Sequence, residues 1–166
     1  RNARADTVTY LTSQMINSGQ MFCGVTTAMR RTGTFGYAYA PNAYNVVTWQ
    51  CGIQNNDLSH ETGHNLGLQH NPGFTTTTPT AALYPYAFGH AVDGQFRDDM
   101  SGEVTTGSGA NCPNGCPRQL FFSNPSLTFF GTPTGIVDQR DNAQTYRRMY
   151  RCVNTFAEVL FRNGFE

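Results

Sequence analysis

The sequence predicts an α+β domain. Three features predict it: a strand-forming run at 43–50, a short helix over about 56–66, and an amphipathic stripe over 138–161. At 166 residues the chain reads as one domain over 1–162, followed by a tail at 163–166.

Residues 7–12 alternate around Val8, Tyr10 and Leu11 and read as a buried strand. Asn17-Ser18-Gly19-Gln20 is a turn, 21–29 a mixed stretch around Cys23 that reads as strand or loop, and 30–36 polar and turn-rich. The run at 43–50 (Ala-Tyr-Asn-Val-Val-Thr-Trp-Gln) has the highest β-propensity of the chain. Asn55, Asn56 and Asp57 are N-cap candidates for the helix that follows. Thr62, Leu66 and Leu68 give this segment apolar faces, and Gly67 ends it in a left-handed conformation that other residues resist.

After a threonine-rich loop at 75–80, Asp93-Gly94 marks a two-residue hairpin turn between 84–92 and 95–97. His90 on this hairpin reads as structural or exposed. Residues 101–117 form a Gly/Thr/Asn-rich loop. The last helix carries an Asp141/Gln144 capping pair and a core stripe of Ala143, Tyr146, Tyr150, Val153, Ala157 and Leu160, and stops at Asn163-Gly164.

Composition excludes two classes. Net charge is zero, all eleven cations are arginines, and no basic stripe exists, so nucleic-acid binding has no electrostatic support. No apolar run reaches the roughly 18 residues of a membrane span. Five cysteines outside a metal-type spacing suggest disulfides in an oxidising compartment. Cys112 and Cys116 are close enough to close a loop, Cys23 and Cys51 can bridge the segment before the first helix, and Cys152 is left over. Sequence leaves this connectivity open, with reduced thiols as the alternative.

The chemistry concentrates in His60-Glu61-Thr62-Gly63-His64-Asn65-Leu66-Gly67-Leu68-Gln69-His70, which holds three of the four histidines. His60 and His64, at i and i+4, share one helix face and can converge on one ion. The reversal at Gly67 brings His70 back as a third ligand, leaving a fourth position open as in a catalytic rather than a structural zinc site. Glu61 stands beside that face, placed to touch a water on the ion as general base. The plain alternative is three surface histidines on an ordinary helix. A closed structural site would need a further ligand, and the nearest cysteine, Cys51, reads more simply as a disulfide partner.

His-Glu-x-x-His-x-x-Gly-x-x-His resembles the metzincin zinc-protease pattern. Tyr86-Ala87-Phe88-Gly89-His90, Phe96-Arg97-x-x-Met100, Cys116-Pro117-Arg118, Phe122-Ser123-Asn124-Pro125, Gly131-x-Pro133-Thr134-Gly135 and Asp141-Asn142-Ala143 resemble reprolysin-like secreted bacterial proteases, most of all the peptidyl-Asp metallopeptidase branch. The resemblance implies a twisted mixed sheet packed on an active-site helix and a C-terminal helix, with 43–50 as the edge strand along which a substrate docks. It also implies a strand, a long helix and another strand before residue 5, which this chain lacks, and a partner for Cys152 there.

The resemblance further implies a secreted zinc endopeptidase acting on proteins or peptides. Zn2+ would be held by His60, His64 and His70, with Glu61 as base and Met100 as the apolar floor beneath the imidazoles. Arg118 is the candidate for pairing with an acidic residue after the scissile bond, and Arg97 is its rival. Three departures stand out. Asn71 replaces the Asp that usually follows the third His, keeping a hydrogen bond behind the ligands without charge. Asp98 and Asp99 precede Met100 where apolar residues are usual, and are expected to face solvent. Gly102 removes the tyrosine that some metzincins use as a further ligand. The competing class is a zinc-containing binding or adhesion module without turnover, against which the intact Glu61 argues. Oligomeric state is beyond the sequence.

Overall fold

In the computed structural model the described residues are 6–17, 19–106 and 110–158. The expected helix stop at Asn163-Gly164, the tail at 163–166, Ser18 and Leu160 lie outside them. Strands β1 (Val8–Thr12), β2 (Ile16–Asn17), β3 (Gln20–Met21), β4 (Gly24–Thr26) and β5 (Tyr44–Thr48) come first, with a 3-10 helix at Gly36–Asn42 before β5. Helices α1 (Trp49–Gln54) and α2 (Asp57–Asn65) follow, then strands β6 (Ala91–Val92), β7 (Phe96–Arg97), β8 (Thr128–Phe129) and β9 (Thr132–Pro133), and helix α3 (Asn142–Val153). The fold is therefore mixed α and β with small sheets, and no helix among the described residues is long and apolar enough to cross a membrane.

The main sheet is mixed and three-stranded, ordered β1-β5-β4, with β1 parallel and β4 antiparallel to β5. This corrects the edge-strand expectation. The run at 43–50 provides the central strand, pairing Val46 with both Tyr10 and Val25. Its β-branched residues fit a position hydrogen-bonded on both sides, with Val47 fully buried. Among the described residues the antiparallel edge is β4. The strand at 7–12 also differs: it is not buried, since Tyr10 and Leu11, which point to opposite faces of the sheet, are 62% and 66% exposed.

Three further differences are local. The strand at 43–50 stops at Thr48, and Trp49 and Gln50 open the helix α1 instead of continuing it. The hairpin pairs Val92 with Phe96, so its tip holds Asp93, Gly94 and Gln95, with Gly94 at φ 69°. The last helix starts at Asn142 with Asp141 as N-cap, whose carboxylate accepts from Gln144 N as expected. Its buried face is Asn142, Thr145, Met149 and Val153, whereas Tyr146 is exposed.

One core joins the two halves. Met29, Tyr39, Leu66, Leu68, Leu83, Met100, Met149, Val153 and Phe156 form a single buried cluster. Disulfides Cys23–Cys51 and Cys112–Cys116 bear out both expected pairings, while Cys152 is a free thiol. The first ties the start of β4 to α1, and the second closes the short turn between Cys112 and Cys116.

Candidate metal centre

Helix α2 carries the first part of the site. It is anchored at its C-terminal end by Asn65, which is fully buried. Asn65 accepts from Asn45 Nδ2 at 2.9 Å and donates to Thr26 Oγ1 at 2.8 Å and Tyr39 Oη at 2.9 Å, so one amide fastens the helix to both β5 and β4. The helix stops at Gly67, whose φ is +86°. Leu68 N donates to Gly63 O and Gly67 N to His64 O, both at 3.0 Å, the paired bonds of a Schellman motif. A Cβ on Gly67 would lie 2.5 Å from Leu83 Cδ2. The reversal therefore requires glycine twice, for its left-handed backbone and for the leucine packed against it.

The reversed chain brings the three imidazoles together. His60 Nε2 and His64 Nε2 lie 3.0 and 3.1 Å from His70 Nε2. Donors about 2.0–2.1 Å from one tetrahedral ion stand about 3.3 Å apart, so the set fits one divalent cation with modest relaxation. Two rings are aimed from behind. His60 Nδ1 stands 2.7 Å from Asp99 O and His64 Nδ1 2.7 Å from Leu68 O. A carbonyl only accepts, so each Nδ1 carries the proton and each Nε2 lone pair points to the centre. Burial depresses all three rings: His60 to about 3, His70 to about 4, and His64 well below its ordinary value. Neutral imidazole is the metal-binding form.

Glu61 is buried beside them, its carboxyl pushed up to about 7 by burial first and by Asp57 second, against the pull of Arg118. The edge strand passes close to it: a Cβ on Gly24 would lie 2.5 Å from Glu61 Oε1. Replacing Gly24 by Ala is expected to push the carboxylate aside. The structure of the variant checks this, an undisplaced Glu61 carboxylate contradicting it.

Beneath the helix, Met100 is fully buried, and its Sδ occupies the space a Cβ on Gly63 would need. Gly63 thus admits Met100 between the turns bearing His60 and His64. The turn closes by Ser101 N donating to Asp98 O at 3.1 Å. Asn71 Oδ1 accepts from Gly102 N at 2.9 Å, tying the residue after the third histidine to the segment after Met100.

The expectation that Asp98 and Asp99 face solvent is overturned: they are 0% and 1% exposed. Asp98 accepts from Ser101 Oγ at 2.5 Å and Ser123 N at 2.7 Å, joining the turn to the chain that leads towards α3. Its acidity also changes, because burial pushes its carboxyl from 3.8 to about 7. A raised carboxyl favours its protonated form in the fold, so its contribution to stability is complete below pH 3.8 and is lost as pH rises through about 7. Wild type is expected to lose stability relative to Asp98→Asn across that window. Denaturant midpoints of the two proteins, compared pH by pH, test it and cancel the opposite trend of the buried histidines.

Asp99 faces Arg118, the residue singled out for substrate. Arg118 Nε stands 3.3 Å from Asp99 Oδ1, and its NH1 donates to Asp57 Oδ1 at 3.0 Å and to Asn55 O at 2.5 Å. Arg118 NH2 donates to Asp99 O at 2.7 Å, the carbonyl that His60 Nδ1 also uses. The guanidinium, with 16% of its side chain exposed, braces the start of α2 against the turn before Met100. Its rival Arg97 donates to Ser101 O and Cys116 O. His90 stands apart from the three rings, edge-on to Phe96.

Sequence reasoning did not find Gly24, Asn65 or the two clamping carbonyls. Backbone carbonyls leave no residue-type signal. Gly63 within a helix was a usable signal, because an interior glycine costs stability and asks for a packing reason.

Several curated proteins share sequence with this chain. Over 145 residues the chain is 26% identical to a "Peptidyl-Asp metalloendopeptidase" of Xanthomonas campestris pv. campestris, covering 87% of this chain and 29% of that protein. It is 29% identical over 151 residues to a protein of the same name from Stenotrophomonas maltophilia strain K279a, covering 87% and 30%. A third, from Pseudomonas aeruginosa, is 28% identical over 125 residues, covering 69% and 19%. The chain thus spans less than a third of the curated relatives it matches. No family model and no solved structure matches it.

Proposed function

We propose that the chain carries the catalytic site of a secreted, metzincin-type zinc endopeptidase. The observation that carries this is the convergence of the Nε2 atoms of His60, His64 and His70, with Glu61, next in sequence to His60, also buried. Three neutral imidazoles suit zinc and leave one position for water or substrate. A zinc ion held by His60, His64 and His70 would supply Lewis-acid chemistry, making a water more acidic and polarising a peptide carbonyl.

The rest of the reaction belongs to residues of the chain. Glu61 takes the water's proton as the water attacks the carbonyl carbon, and then delivers it to the departing amine nitrogen. No serine or cysteine nucleophile is required. Met100 supports the rings from below without coordinating, and Asn71 and Gly67 keep the loop bearing His70 in place. An extended peptide adds to the open edge of β4 as a further antiparallel strand, and Gly24 lets its backbone approach Glu61. Two disulfides and the bacterial relatives support an extracellular setting.

Specificity for an acidic residue after the scissile bond is the finer part of the proposal. A hollow of about 440 Å3 lined by Asn55, Asp57, Arg97, Arg118 and Leu120 adjoins the start of α2 and supplies two cations. An acid entering it must compete with Asp57 and Asp99 for Arg118. Arg118→Gln is expected to lower cleavage before acidic residues about tenfold relative to apolar ones, loss of one charge-assisted pair being worth about 1.5–3 kcal/mol. An unchanged preference assigns Arg118 to bracing alone. Hydrolysis of unstructured protein, abolished by a chelator and restored by zinc, tests the function itself.

A further inference from the structure

His70 is held differently from the other two histidines. His60 and His64 are clamped by carbonyls behind the ring. Among the described residues, the hydrogen-bond-distance contacts of His70's ring are the Nε2 approaches to its fellow histidines. What stands against it is Phe74, edge-on at 90° with ring centroids 5.0 Å apart.

Phe74 reaches that place by a tight reversal. Phe74 N and Thr75 N both donate to Asn71 O at 3.2 Å, and Gly73 takes φ +93°. The ring then lies on the backbone of Gly102: a Cβ built there would collide with Phe74 Cγ, Cδ1 and Cδ2. Gly102 is itself fixed by Asn71 Oδ1. One short loop therefore carries the metal-facing imidazole, the amide that pins Gly102, and the ring that fills the room Gly102 leaves. Phe74 is 47% exposed, so burial alone gives little reason to hold it there.

We infer that Phe74 is a positioning residue for His70, its ring held between Gly102 and the imidazole so that His70 Nε2 faces the other two. This rests on the reading of the three histidines as metal ligands. Aromatic pairs favour the edge-to-face arrangement seen here, and partners that orient a ligand set its affinity for the metal. Phe74→Ala removes the ring, and Gly102→Ala displaces it without touching Phe74 or His70. Both lead to the same loss, whereas Phe74→Tyr keeps the ring and rescues.

The test is zinc affinity by competition with a chromophoric chelator, on the full chain, with thermal unfolding of each metal-free protein alongside. Phe74→Ala and Gly102→Ala are expected to weaken zinc binding about tenfold or more. Phe74→Tyr should match wild type, and the metal-free variants should unfold with wild-type cooperativity. Wild-type affinity in both Ala variants overturns the inference and leaves the metal site standing. A loss in Phe74→Ala matched by Phe74→Tyr, or absent from Gly102→Ala, also overturns it. A wild-type protein that binds no zinc overturns the metal reading and this inference together.

Discussion

Glu61→Gln is expected to lower peptide turnover by ~1,000-fold, within the range general acid–base catalysis supplies, with zinc content unchanged. Glutamine keeps the shape of the side chain and cannot take a proton. Glu61 sits one residue after His60, off the face on which His60 and His64 converge, so its loss removes the base and leaves the three nitrogens in place. Burial and the proximity of Asp57 already oppose the charged form of Glu61, so the neutral amide should fold at least as stably. Single-turnover kinetics on a quenched peptide, with metal analysis of the same sample, makes the measurement. A mutant as active as wild type would falsify the assignment of catalysis to this centre.

Gly67→Ala is expected to damage fold and site together. Left-handed backbone costs an alanine roughly 1–2 kcal/mol, and its Cβ must also move Leu83, which is part of the core. A total of about 2–3 kcal/mol follows, readable as a shift in urea midpoint at constant slope. The site loses more than stability. The turn at Gly67 carries Leu68 O, which orients His64, and the chain leading to His70. Zinc affinity should therefore fall even where the variant is fully folded. A variant with wild-type midpoint and affinity would show that the reversal does not depend on glycine.

The centre was legible because its geometry is local. Ligand spacing of i, i+4 and i+10 with a glycine between the second and third needs only the pitch of one helix and one left-handed residue. The disulfides were legible as candidates, Cys112 and Cys116 standing four residues apart and Cys23 and Cys51 flanking the segment before the first helix, while the structure supplied the connectivity. Position within the sheet was not. The run at 43–50 carries strong β-propensity, but propensity reports a pleated, buried setting and says nothing about which neighbours fill it. Asp98 and Asp99 were misread because charge predicts exposure only when no partner is present. Here Ser101, Ser123 and Arg118 lie 3 to 25 residues away in the sequence, and the turn before Met100 is built on them. Arg118, the candidate partner of a substrate acid, is also engaged by the protein's own Asp57 and Asp99, a pairing that no local sequence spacing reveals.

The central claim is that His60, His64 and His70 bind one zinc ion through nitrogen. Zinc-edge X-ray absorption on the purified, zinc-loaded chain tests it most directly. The account predicts three imidazole nitrogens at about 2.0–2.1 Å and a light fourth donor from water, in a spectrum that loses one imidazole in His70→Ala. A spectrum with sulfur ligands, or one that His70→Ala leaves unaltered, contradicts it.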